Sequence, residues 1–298
     1  MSQEVELKLA LCRDGPERLC RHPLLKGRPA ATHRLANTYF DTPRGELEAA
    51  RMALRLRRSD DTWVQTLKTS GEGGGGLSRR GEWEWPVTVG VVDGGLPDED
   101  ALDRQGLANL PPMAELGDGV LQRLEARFTT DFERRLWLLD HAGATIEVAL
   151  DQGEIRTAGH AVPIRELELE LKAGAPAALW DLAQALAGTI PLRPADTSKA
   201  ARGGALLSGH WRLPRGNTPA EWLNRAIMAL DALADTRDEA WRPVAAEAMQ
   251  RLAAGDTGKG DAADLAAALA APCWLTPAFG QAALRLARRL DSTEGASP

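Results

Sequence analysis

In the segment EVELKL, Glu4, Glu6 and Lys8 alternate with Val5, Leu7 and Leu9. Carboxylates are hard oxygen ligands suited to Mg²⁺ or Mn²⁺, and an ammonium or guanidinium beside them can hold phosphate oxygens. On a strand, successive side chains point to opposite faces, so the three charges share one face. The pattern recurs. IRELELELK sets Glu166, Glu168, Glu170 and Lys172 opposite Leu167, Leu169 and Leu171, and ALRLRR sets Arg55 and Arg57 opposite Leu54 and Leu56. RGEWEW sets Arg80, Glu82 and Glu84 opposite Trp83 and Trp85, and IEVALD sets Glu147 and Asp151 opposite Ile146, Val148 and Leu150. One such strand alone reads as a solvated surface. Five together, each backed by good strand formers, read as the lining of an interior.

The elements that would position these faces are short alternating segments punctuated by Gly, Pro and Asp. Strands are expected near 3–9, 33–41, 52–58, 62–69, 79–86, 126–139, 144–151 and 161–172, with helices near 15–25, 98–109, 176–188 and 196–207. Many strands with few helices suggest an antiparallel barrel or a curled sheet. Helices packed outside would cover the apolar faces and leave the charged ones inward. A closed sheet of about eight strands is just wide enough for side chains or one small ligand, so charged inner faces imply a hydrated tunnel. Interleaved acids and bases are then required, because an unpaired buried charge is costly. Clustered Lys and Arg suit a chain of phosphates and clustered Glu and Asp a divalent metal, so together they describe a metal–polyphosphate site.

After SGHWRLPRGNTP the texture changes: Trp222, Leu223, Ala226, Ile227, Leu230, Leu233 and Ala234 recur at helical spacing, and further helical stripes follow to Leu290. The reading is an α+β chain with residues 1–206 as the barrel with flanking helices, 207–218 as a linker, 219–291 as a small all-α region and 292–298 as a tail. SGEGGGGLS lacks the Gly-Lys-Ser/Thr of a phosphate-binding loop and reads as a flexible hairpin connection.

The formal charge of −6 argues against a general nucleic-acid or anionic-membrane binder, and no run approaches a membrane span. The first residues lack a signal-peptide pattern, so a cytoplasmic protein is expected. Cys12, Cys20 and Cys273 have no metal or redox spacing and read as reduced, mostly buried thiols; the five scattered histidines offer no zinc motif.

These residues resemble the CYTH superfamily of triphosphate tunnel metalloenzymes. The leading ExExK is intact as Glu4, Glu6 and Lys8, and NTYFDTPRGEL, ALRLR, WVQTLKT, RRGEWEWP, FTTDFERRLW, IEVALDQGEI, ELELELKAG and SKAARG follow in order over roughly residues 1–206. The resemblance implies an eight-stranded antiparallel barrel whose tunnel binds a triphosphate with Mg²⁺ or Mn²⁺. It makes Glu4, Glu6, Glu147, Asp151, Glu168 and Glu170 the metal-side carboxylates. It makes Lys8, Arg55, Arg57, Lys68, Arg80, Arg134, Lys172 and Lys199 the phosphate-side cations, with Glu6, Lys8 and Glu168 as the catalytic residues and Glu82 and Glu84 orienting neighbouring cations. The expected activity is hydrolysis of inorganic triphosphate to pyrophosphate and phosphate. Alternatives on the same scaffold are thiamine-triphosphate or nucleoside-triphosphate hydrolysis, ATP cyclisation of the class IV adenylate cyclase kind, or a non-catalytic polyphosphate-binding module. An organic group would need an aromatic or apolar place at the tunnel mouth, for which Tyr39 and Trp63 are isolated candidates that read better as packing residues. The longer bacterial inorganic triphosphatases continue into a helical CHAD domain rich in His, Arg and Lys. Residues 219–291 are Ala-rich, contain no His and are too short for a whole one, so they read as a truncated or degenerate remnant serving packing or self-association into a homo-oligomer.

Overall fold

The computed structural model describes residues 2–59, 62–69, 71, 73–89, 97, 99–117, 119–255 and 258–294. Eight long strands form the barrel: β1 (Ser2–Leu11), β2 (Ala31–Asp41), β3 (Ala53–Ser59), β4 (Thr62–Lys68), β5 (Leu77–Val87), β6 (Glu125–His141), β7 (Ala144–Thr157) and β8 (His160–Ala173). A short β9 (Leu192–Pro194) follows. Strand order is β5-β4-β3-β2-β6-β7-β8-β1, and the β5–β1 pairing closes it, all antiparallel. The antiparallel barrel, rather than an open curled sheet, is therefore the fold. β1 changes neighbour along its length: Ser2–Leu7 pair with β5, while Leu9–Leu11 pair with β9.

Helices cover the outside. They are α1 (Gly15–Arg21), α2 (Glu46–Ala49), α3 (Arg104–Ala108), α4 (Pro111–Ala114), α5 (Ala177–Ala187), α6 (Lys199–Ser208), α7 (Pro219–Thr236), α8 (Trp241–Ala253), α9 (Lys259–Ala268) and α10 (Pro277–Glu294). The expected helix over 98–109 is instead a 3-10 turn, Glu99–Ala101, followed by α3, whose start is fixed by Asp103 accepting from the Gly106 N–H; α4 then starts at Pro111. Leu7, Leu9, Val148, Leu167 and Leu169, on the outward faces, share one continuous apolar cluster with α5, α7, α8, α9 and α10. Leu54, Leu56 and Leu67 pack outward against α2–α4, and Trp63 and Trp85 join that second cluster.

A third cluster lies at inward positions of one barrel end. Leu35, Tyr39, Phe128, Phe132, Ile155, Val162 and Ile164 fill it, with Ala200 and Leu206 of α6 packed on them. Tyr39 and Phe128 stack at 4.7 Å between ring centroids. Gly203 lets α6 lie directly on this plug, since a Cβ there would sit 2.2 Å from Phe128 Cε2. The interior is thus closed at the α6 end by apolar packing, and its charged length opens at the other.

The Gly-rich turn between β4 and β5 differs from the flexible connection its composition suggests. Gly75 has φ +67°, and a Cβ on it would meet Ala287 of α10 at 2.7 Å. Its N–H donates to Asn224 of α7 at 2.8 Å, and the Gly76 N–H donates to Asp196 at 2.5 Å. The glycines are there because helices press on the backbone. The thiols also differ from expectation: Cys12 and Cys20 are half-buried and Cys273 is exposed. Ser70, Glu72 and the end of the tail, residues 295–298, lie outside the described residues.

Candidate active site in the barrel interior

Alternation along the strands sends the charged residues inward as a set. Among the described residues, the inward carboxylates are Glu4 and Glu6 on β1, Glu82 and Glu84 on β5, Glu147 and Asp151 on β7, and Glu166, Glu168 and Glu170 on β8. Facing them are Lys8, Arg55, Arg57, Lys68, Arg80, Arg134 and Lys172 from the strands, with Lys199 and Arg202 from α6. Nine acids meet nine bases, so the lattice is formally neutral.

Three groupings are visible. In the first, Lys68 Nζ lies 2.8 Å from Glu4 and 3.2 Å from Glu82, and Arg80 donates to Glu4 at 3.0 Å and also to Glu6. Burial would raise the Glu4 carboxyl, but the Lys68 and Arg80 charges outweigh it and hold it at about 2. Lys8 sits 3.8 Å from Glu6 and opposite Glu168 across the β1–β8 ladder.

The second grouping is deeper, toward the plug. Arg134 grips Asp151 with two bonds of 2.7 Å and donates to Glu168 at 2.5 Å. Lys199 reaches Asp151 at 2.7 Å, Glu166 at 2.6 Å and Glu168 at 3.0 Å. Arg202 donates to Glu166 and clasps Asp235 of α7 at 2.6 and 2.8 Å. Burial works against ionisation of Glu168, yet Lys199 and Arg134 hold it well below the usual carboxylate range; Lys199 and Arg202 do the same for Glu166, at about 2. Asp151, Glu166 and Glu168 bring oxygens within 4.8 Å of one another, the spacing a metal ion would need. All three, however, are already committed to Arg134, Lys199 and Arg202.

The third grouping lies at the mouth. Lys172 pairs with Glu170 at 2.7 Å and Glu147 at 3.4 Å, and Glu170 stands opposite both Glu6 and Glu147. Burial, with the nearby Glu4 and Glu147 charges, pushes the Glu170 carboxyl up despite Lys172.

The β3 wall has the opposite imbalance. Arg57 donates to Asn37 at 2.9 Å, and no carboxylate lies within ion-pair distance among the described residues. Burial and the Arg55 and Arg134 charges push it down to about 9. Arg55 has Glu82 only at 3.9 Å, and its Nε is buried without a hydrogen-bond partner. Asn37 in turn holds Thr130 at 3.0 Å across the β2–β6 pair. Every cation and carboxylate expected from the sequence therefore faces the interior; Glu147, Glu170 and Lys172 occupy its rim. Glu82 contacts the Lys68 cation and Glu84 accepts from Thr66 at 3.1 Å. Asn37, Thr130 and Arg202 were not singled out by sequence. Glu166 was placed on the charged face in phase with Glu168 and Glu170 but given no role in the site.

Where β9 leads into α6, Asp196 is half-buried, accepts from the Gly76 N–H and has a buried Oδ2 without a partner. Burial, then the nearby Asp231 charge, pushes it from 3.8 up to about 7. A folded-state acid raised in this way favours folding below its unfolded pKa, and that stability is lost as pH rises through about 7. Asp196→Asn keeps the acceptor for Gly76 and removes the charge. It is expected to match the wild type near pH 3, below the unfolded value of 3.8, and to exceed it at pH 8 by up to about 4 kcal/mol, read from thermal or urea unfolding at the two pH values. Equal stability differences at both would leave the carboxyl at its ordinary pKa.

The CYTH domain profile matches residues 2–203. The inorganic triphosphatase of Haemophilus influenzae is 33% identical over 229 residues, which cover 76% of this chain and 59% of that protein. This chain therefore spans 59% of its relative's length. Among solved structures, a Hippeastrum adenylyl-cyclase-like protein with a dominant triphosphatase activity superposes with a TM-score of 0.47 at 19% identity, covering 71% of this chain and 98% of its own. An adenylate-cyclase-like protein of Bacillus halodurans gives 0.40 at 18%, covering 62% and 91%. Superpositions this loose say nothing about chemistry.

Proposed function

This chain belongs to the CYTH domain family, and from that premise we propose that it hydrolyses inorganic triphosphate to pyrophosphate and phosphate inside the barrel, with Mg²⁺ or Mn²⁺. The observation that carries the reading is the polarity of an otherwise neutral lattice. Arg55 and Arg57 on one wall have donors to spare, while Glu170, Glu147 and Glu6 crowd together on the other. A polyanion entering alone would unbalance the interior; a divalent cation entering with it offsets two of its charges. The Haemophilus influenzae relative is named for this activity.

A hard divalent cation would be held by the mouth-side carboxylates Glu4, Glu6, Glu147 and Glu170, all oxygen ligands, once it draws them together; the carboxylates already within 4.8 Å of one another among the described residues, Asp151, Glu166 and Glu168, are paired with cations. Asp151 and Glu168 are better employed against Arg134 and Lys199, with which each is already ion-paired. When bound, the metal would neutralise phosphate oxygens and acidify a bound water.

The chain's own residues do the rest. Phosphate oxygens take Arg55 and Arg57 first, then replace Glu4 and Glu6 as partners of Lys68, Arg80 and Lys8. Phosphoryl transfer needs mainly positioning and charge stabilisation, which this basic set supplies. Lys199 and Arg134 close the inner end, and Lys172 guards the rim. Glu168, held ionised, accepts a hydrogen bond from the attacking water and aligns it.

The inward aromatic side chains among the described residues, Tyr39, Phe128 and Phe132, are buried in the plug at the closed end, and Trp63 packs outside. Among the described residues, therefore, no aromatic seat for a base or thiamine ring is offered where an organic group would emerge. Phosphate release from inorganic triphosphate, ATP and thiamine triphosphate, each with Mg²⁺, Mn²⁺ or chelator, tests the proposal. Metal-dependent preference for inorganic triphosphate is the expected result; preference for either organic substrate would overturn the assignment.

A further inference from the structure

Lys199 is the first residue of α6, and what fixes that first turn comes from outside the barrel. Ser198 caps it by accepting from the Ala201 N–H at 3.2 Å. Two carboxylates one helical turn apart on α7 then hold it from either side. Asp231 Oδ2 accepts the backbone N–H groups of Asp196 and Thr197 at 3.1 and 2.9 Å, directly ahead of the cap. Its Oδ1 accepts from Arg193 at 2.6 Å, and Arg193 also donates to the Leu230 and Pro194 carbonyls. Asp235 holds Arg202, one turn beyond Lys199, by both oxygens. Arg202 passes the constraint on to Glu166 and to the Pro163 carbonyl at 2.8 Å, and Glu166 is itself a partner of Lys199.

Glu166, Arg193, Lys199, Arg202, Asp231 and Asp235 are all buried. Removing one partner of a buried, hydrogen-bonded charge pair leaves the other uncompensated, so its geometry must relax. The helical region is therefore tied to the reaction chamber by a continuous chain, from Asp235 through Arg202 and Glu166 to Lys199.

We infer that Asp231 and Asp235 of α7 are positioning residues for the triphosphate site, holding the α6 turn so that the Lys199 ammonium meets the inner phosphate. This rests on the triphosphatase reading and gives the C-terminal helices a role there, in place of packing or self-association alone. Neither aspartate touches substrate; both act through α6.

The test is steady-state phosphate release from inorganic triphosphate by the full-length Asp235→Asn protein, alone and combined with Lys199→Ala, beside wild type. KM is expected to rise roughly ten- to a hundredfold, with a smaller change in kcat, because the lost element is orientation of a binding group. In the Lys199→Ala background, Asp235→Asn should add nothing further. A merely structural role would lower the Tm and the active fraction while leaving KM in place. Arg202→Lys, which keeps the charge but loses the two-pronged grip, should raise KM in the same way and decides the matter if Asp235→Asn does not fold. KM within twofold of wild type, or full additivity with Lys199→Ala, would overturn the inference and leave the triphosphatase reading intact. A wild-type protein that neither turns over nor binds inorganic triphosphate by calorimetry would remove the reading, and the inference with it.

Discussion

Glu6→Gln is expected to lower turnover of inorganic triphosphate by roughly a hundred- to a thousandfold while the protein stays folded. Glu6 is buried on β1 between Arg80 and Lys8 and stands opposite Glu170 on the β8 ladder. Glutamine has nearly the same shape and keeps an acceptor for Arg80, which also retains Glu4 at 3.0 Å. The fold should survive. What disappears is one negative charge at the place where the mouth-side carboxylates would share a cation. The loss should appear in phosphate release under saturating metal, with the Tm shifted by only a few degrees. Near-wild-type turnover would remove Glu6 from the site.

The second large effect concerns the helices. A chain ending after His210 lacks α7–α10 and is expected not to fold cooperatively, which differential scanning calorimetry or urea unfolding would read. The apolar cluster outside β1, β7 and β8 is shared with Leu223, Ile227, Leu230, Phe279, Leu284 and Leu286. Each large apolar side chain left in water forfeits about 2 kcal/mol. Arg193 and Arg202 would also lose Asp231 and Asp235, at about 3–5 kcal/mol for each stranded charge. Against a net stability on the order of 5–15 kcal/mol, these losses decide the outcome. A soluble fragment with a sharp unfolding transition would show that the barrel is self-sufficient and the helices an appendage.

How much of this could be read from sequence depended on period. The charged faces of β1, β3, β5, β7 and β8 were legible because alternation at two residues fixes which side chains share a face, and packing helices outside decides which face turns in. Lys68, Arg134 and Lys199 were reached through the family resemblance, since a lone base on a polar strand or helix start carries no periodic signal. The apolar plug of Tyr39, Phe128 and Phe132 was not legible, because inward aromatics at a barrel end look like any strand core position until closure is known. The docking of the glycine turn on Asn224 and Asp196 was hidden in the same way: glycine repeats signal either freedom or close approach, and the tertiary contact chooses. Asp231 and Asp235 sit in an Ala-rich helix where an aspartate usually faces water. Their partners, Arg193 and Arg202, are more than 30 residues away in sequence, beyond any local pattern.

Whether triphosphate and metal meet inside the barrel can be seen by crystallising the chain with Mn²⁺ and a triphosphate analogue whose bridging oxygens are replaced by nitrogen, and collecting anomalous scattering at the manganese edge. The expected result is an anomalous peak coordinated by Glu6 and Glu170, with the phosphates laid along Arg55, Arg57 and Lys8 toward Lys199. A peak among Asp151, Glu166 and Glu168 with their cations displaced, or a triphosphate bound outside the barrel, would contradict it.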